Sequence, residues 1–162
     1  MDEMWTWLYH HASQRDQSEA SLADVLDVKA SILLVVVTFL ATIAIGVTQL
    51  DQLPILVERM QLANNFLLAI GTSLLIGELW PRKYLFEDGD YLDELRDYLI
   101  SNRDNPEGIL GQVVEANASL AIGRVQHNYS LNASKEKLLR YSFRCVLGGV
   151  LLQIIILVCL AA

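Results

Sequence analysis

Four cations crowd a short stretch near the end of this chain: Lys135, Lys137, Arg140 and Arg144. On a helix, Lys137, Arg140 and Arg144 fall at i, i+3 and i+7 along one face. Just upstream stand Arg124, Gln126, His127 and Asn128. Guanidinium and ammonium groups supply contacts to phosphate oxygens, and side-chain amides can read the edge of a base. The chemistry on offer is recognition of a small anionic ligand, with Lys135, Arg140, Arg124, Gln126 and Asn128 as candidate contacts. The same cations have a simpler use, because basic residues at a membrane helix end anchor to headgroups and fix topology. Asp27 and Lys29 pose a similar choice. They can pin a helix end, with Lys29 snorkelling to the interface, or link the N-terminal segment to the rest.

Catalytic signatures are missing. There is no glycine-rich phosphate loop, no nucleophile elbow, no zinc-ligand quartet and no Ser-His-Asp arrangement. His10 and His11 are adjacent, so a helix points them to different faces, and no Cys or carboxylate sits at ligand spacing. No metal and no cofactor is expected. Cys145 and Cys159 lie 14 residues apart, about 21 Å along one helix, too far to pair. The expectation is a non-enzymatic protein.

The elements that must position these residues are set by three blocks without Asp, Glu, Lys or Arg. Ala30–Leu50 has 21 such residues, Met60–Gly77 has 18 and Cys145–Ala162 has 18. A bilayer core about 30 Å thick takes about 20 helical residues, so each block qualifies as a span. The first block follows an acidic leader and is too long for the apolar core of a cleaved signal peptide. Asp51-Gln-Leu-Pro54 makes a short turn, so the first two spans form a hairpin. Trp80 is an interfacial anchor, Pro81 ends the second span, and Arg82-Lys83 mark its polar side.

Nine of the 12 Lys and Arg lie between the second and third spans. The positive-inside rule then puts residues 78–144 and the N-terminus in the cytoplasm and the C-terminus on the far side. The net charge of −7 argues against a nucleic-acid polymer as partner. Inside the spans Thr38, Thr42, Thr48, Thr72, Ser73 and Gln153 are polar but not ionisable, which disfavours a proton or ion pump.

The fold class expected is an all-α membrane protein: a transmembrane hairpin, a long C-terminal helix and a small helical cytoplasmic region. Residues 1–29 form a largely helical leader, with Met4, Trp5, Leu8 and Ala12 on one face. Residues 30–80 hold the hairpin, with spans at about 30–50 and 60–80. Residues 81–144 are the cytoplasmic helical region, and 145–162 the third span. Within the middle, Tyr91, Leu92, Leu95, Tyr98 and Leu99 repeat at helical spacing. Asn105 and Pro106 start the last helix, as N-cap and first helical residue. Leu110, Val114, Ala118, Ala121, Val125 and Tyr129 make its apolar stripe, and it runs on into the third span, with a bend expected near residues 129–134. Gly148-Gly149 and Thr42-xxx-Gly46 permit close helix approach.

Two short motifs resemble a known family. Asp27-Val-Lys29-Ala30-Ser-Ile-Leu-Leu resembles the D-x-K-A-x-x-L-L opening of the first span in Pycsar membrane effectors of the PycTM type. Lys135-Glu-Lys-Leu-Leu-Arg140 is similar to that family's K-x-x-x-L-R segment before its last hydrophobic helix. The order of leader, hairpin, cytoplasmic middle and final span also matches, and two-span SLATT effectors are related. Glu136 stands where the family has an aromatic residue. The resemblance implies an antiphage effector in the bacterial inner membrane. A cyclic nucleotide (cUMP or cCMP) would bind the cytoplasmic side, and the chain would form homo-oligomers, act on the lipid bilayer and impair it in abortive infection. The runner-up is a membrane anchor or scaffold for a cytoplasmic protein. Small bacterial diacylglycerol kinases share the three-span size, and Glu115-Ala-Asn117 echoes their acidic motif, but no second acidic stretch of theirs follows.

Overall fold

The computed structural model describes residues 2–49, 53–85, 97–98, 100–101 and 106–161. Its three long elements are all α-helices: α1 (Asp2–Thr48), α2 (Ile55–Leu79) and α3 (Pro106–Ala161). Each is long and apolar enough to cross a membrane, with mean hydropathy of 2.6, 1.4 and 2.5 over its best stretch. The lower value of α2 has a plain cause. Any 18-residue window within its 25 residues contains both Asn64 and Asn65.

The leader and first span are one helix, and residues 129–134 lie inside unbroken α3. Helix α2 ends as its sequence requires. Proline disfavours helical geometry in the residue before it, and Trp80 is extended at φ −59 and ψ 128. Pro106 is the first residue of α3, while its expected cap, Asn105, lies outside the described residues. So does most of the expected helix around Tyr91–Leu99.

Burial follows a strict alternation of three and four residues. On α2 the buried set is Val57, Gln61, Asn64, Leu68, Gly71, Leu75 and Glu78. On α3 the same register takes in Ala118, Ala121, Asn128, Asn132, Lys135, Ser142, Val146, Gln153 and Ile156. On α1 it takes in Ala12, Glu19, Ala23, Leu26, Ala30, Val37, Leu40, Ala44 and Val47. This is the heptad period of a left-handed coiled-coil seam. Its unusual property is that polar residues occupy a third or more of the positions on α2 and α3.

The chain divides into two compact units: Met1–Ala23 with Arg82–Asn132, and Asp24–Pro81 with Ala133–Ala162. The second unit carries the candidate spans. Its core is a cluster of Ala30, Val37, Leu40, Leu68, Leu75 and Val146, and a smaller one of Val47, Val57 and Ile156. Helices α2 and α3 approach closely at two glycines. A Cβ at Gly149 would stand 2.9 Å from Leu68 Cδ2, and one at Gly71 would stand 3.3 Å from Val146 Cγ2. Gly46 meets nothing within 4 Å. Outward apolar side chains such as Val35, Phe39, Leu62 and Phe66 are at least 66% exposed. A face of that kind suits hydrocarbon rather than water.

Hydroxyls within the spans bond back to their own helix. Thr38 donates to Leu34 O, Thr42 to Thr38 O, Thr72 to Leu68 O and Ser73 to Ala69 O. Each hydroxyl is thus satisfied without water, as an apolar solvent demands.

Candidate functional site

The first unit is held by a polar ladder. Arg124, Asn128 and Asn132 are four residues apart on α3, so they stack about 6 Å apart on one face. They meet Asp16 and Glu19 of α1. Asn128 Nδ2 donates to Asp16 Oδ1 at 3.0 Å and to Leu85 O at 2.9 Å, and its Oδ1 accepts from Leu85 N at 3.1 Å. Asn132 Nδ2 donates to Glu19 O at 2.8 Å and to Glu19 Oε2 at 2.9 Å, while its Oδ1 accepts from Tyr84 Oη at 2.8 Å. Arg15 Nε lies 3.3 Å from Glu19 Oε1. Both asparagines are buried with three bonds each, so a carboxylate and a chain segment are tied to α3.

Arg124 is held differently. Its Nε stands 3.5 Å from Asp16 Oδ2, yet this buried nitrogen makes no hydrogen bond. An ion pair without a hydrogen bond leaves a cation able to take a better-placed anion. His127 bonds to Lys83 O at 3.1 Å from the neighbouring exposed face.

The candidate contacts read from sequence fall in separate places. Arg124 and Asn128 converge on Asp16. Gln126, two residues from each, is exposed on another face of α3. Lys135 and Arg140 belong to the second unit, where Lys135 is buried against Asp27 and Arg140 is exposed, pairing with Glu136 at 2.6 Å. Asp27 therefore pairs across to α3, whereas Lys29 stands exposed on α1. The ladder's α1 side was not legible as a site. Asp16 and Glu19 look like ordinary leader charges until α3 is set beside them.

A second polar layer lies within the spans. Asn64 Nδ2 donates to Gln153 Oε1 at 2.6 Å, and Gln61 Nε2 to Ala44 O at 3.2 Å. Asn64, Gln61 and Gln153 are at most 3% exposed, and Asn64 Oδ1, Gln61 Oε1 and Gln153 Nε2 have no partner. Gln61 and Asn64 hid inside a run screened for charge. The usable signal was their heptad register with Leu68 and Leu75.

This layer gives a first prediction. Replacing Asn64 alone with Leu strands Gln153 Oε1 and should cost about 1–2 kcal/mol. Replacing Asn64 and Gln153 together should cost less than either single change, read as melting temperature in detergent. Equal and additive losses would mean the two amides are not bonded.

Among the described residues no group of three His, Cys, Asp or Glu could hold a metal. His10 bonds to Gln14, and His11 to Trp7 O with its ring 3.9 Å from that of Trp7. Cys145 and Cys159 are both free thiols. No protein-family model, no curated protein and no solved structure matches this chain.

Proposed function

We propose that this chain is a non-enzymatic membrane effector of an antiphage defence system. In this reading a cyclic nucleotide, a cyclic pyrimidine mononucleotide by the family resemblance, is bound on the cytoplasmic side. Binding then shifts the spans, in one copy or several, and impairs the inner membrane. The observation that carries the reading is that Asp27 and Lys135 form an ion pair. These are motif positions of the two short segments on which the family resemblance rests, so both strings serve one structural joint.

Arg124 supports an anionic ligand, since its buried Nε has a carboxylate near but no hydrogen bond. A phosphate displacing Asp16 would free Asn128 Nδ2 to meet the ligand as well. A ligand moves an equilibrium only by binding one arrangement better than another. Exchange of Asp16 for phosphate on α3 supplies that difference.

The test is a titration of the purified full chain in detergent with cUMP, cCMP, cAMP and cyclic oligonucleotides. At about 100 times its Kd the right ligand adds about 2.7 kcal/mol, a rise in melting temperature of about 5–10 °C. Arg124→Ala should abolish that rise. If no cyclic nucleotide changes melting temperature or oligomeric state, the effector reading fails.

A second reading is an anchor that holds a partner protein. It draws on Leu110, Leu120 and Tyr129, large side chains of α3 about half exposed. Saturating nucleotide response would argue against it.

A further inference from the structure

A groove runs between α1 and α3 along the span-bearing unit, with a volume of about 630 Å³. Leu26 and Val146 are its buried lining, and Leu33, Leu139 and Val150 pack partly into it. One end is charged, with Lys29 from α1 and Glu136 and Arg140 from α3. From that end, α1 lines the groove as far as Val36 and α3 as far as Val150. Those are stretches of about 10 and 15 Å of helix, and beyond the charged end every lining residue is apolar.

We propose that this groove binds one anionic phospholipid. Its phosphodiester sits at Lys29 and Arg140, and an acyl chain lies along Ile32, Val36, Leu147 and Val150. Three observations support that occupant. The polarity is that of an amphiphile, charged at one end and apolar along the rest. The charge is complementary: two cations face one carboxylate, Glu136 is taken up by Arg140 at 2.6 Å, and Lys29 has no ion-pair partner among the described residues. The level is right too, because Lys29 directly precedes the charge-free stretch from Ala30, where headgroups meet basic side chains.

The alternatives fit less well. A soluble anion would leave the apolar trough empty. A helix from a second copy would fill the trough but leave Lys29 without a counter-charge. The site does not depend on the nucleotide reading, and either can fail alone.

The full chain, purified in mild detergent, is mixed with equal amounts of phosphatidylglycerol and phosphatidylethanolamine, and bound lipid is counted by native mass spectrometry. One phosphatidylglycerol should be retained with about tenfold preference, as one or two basic groups at a membrane surface provide. K29E and K29M should lower that preference at least about fivefold with melting temperature unchanged, since Lys29 is exposed. V36W, which blocks the trough and leaves the charges, should reduce retention of both lipids. Equal retention of the two lipids, or full preference in K29E or K29M, would overturn the proposal. So would disulfide cross-linking of Val36→Cys between copies in the absence of retained lipid, which would make a second copy the occupant.

Discussion

Asn128→Asp is expected to lower the stability of the protein by about 3–5 kcal/mol, the scale of an uncompensated buried charge. The change is nearly isosteric, so packing is not what it tests. Nδ2 of Asn128 donates to Asp16 Oδ1 and to Leu85 O. An aspartate presents an acceptor to both, and sets two carboxylates about 3 Å apart where Asn128 is fully buried. Arg124 lies on Asp16 without a hydrogen bond and offsets one negative charge, not two. Asn128→Leu removes the same bonds without adding charge, and should cost about 2–3 kcal/mol from the stranded groups of Leu85 and Asp16. In a chain of this size the aspartate variant should melt about 10 °C or more below the wild type. A loss under 1 kcal/mol would mean that Asp16 and Leu85 do not meet Asn128 in solution.

The three helices were legible because charge-free runs of 18–21 residues have few other uses. The C-terminus of α2 was equally legible, since Pro81 dictates Trp80. The seam was only half legible. The apolar stripe read on α3 takes in Leu110 and Tyr129, which stand exposed, along with Ala118 and Ala121, which are buried. Past Val125 the register continues through Asn128, Asn132 and Lys135, where an apolar search finds nothing. Those positions can be polar because α1 supplies Asp16, Glu19 and Asp27 opposite them, more than 100 residues away in sequence. One strand of text cannot display such a pairing. Arg124 and Asn128 could be singled out by type as candidate ligand contacts. What their types could not reveal is that Asn128 is fully committed within the chain and Arg124 is not.

Lys135→Asp is expected to be the other severe change, costing about 3–4 kcal/mol. The side chain of Lys135 is 4% exposed and that of Asp27 is 46% exposed, so the lysine bears most of the desolvation. Placing a carboxylate at 135 removes the attraction and adds repulsion at the buried end. Asp27→Asn keeps an amide oxygen that can accept from Lys135, and the pair it weakens is half-hydrated on the α1 side, so the loss should be smaller, about 1–2 kcal/mol. The swap, Asp27→Lys with Lys135→Asp, restores opposite charges at the same two positions. It should recover about half the loss, not all, because the swap moves the carboxylate to the buried end of the pair, among surroundings arranged for a lysine. The Asp27→Lys single change sets a second cation against buried Lys135 and should cost at least as much as Asp27→Asn, so a double-mutant cycle on melting free energies should give a coupling of about 3 kcal/mol or more. Salt dependence separates this from general charge effects, since a contact buried on one side is screened less than a surface pair. A coupling near zero would mean that the joint between α1 and α3 does not form in the folded protein. It would also remove the main structural support for an effector, because the two resembling segments would then be unrelated stretches of sequence.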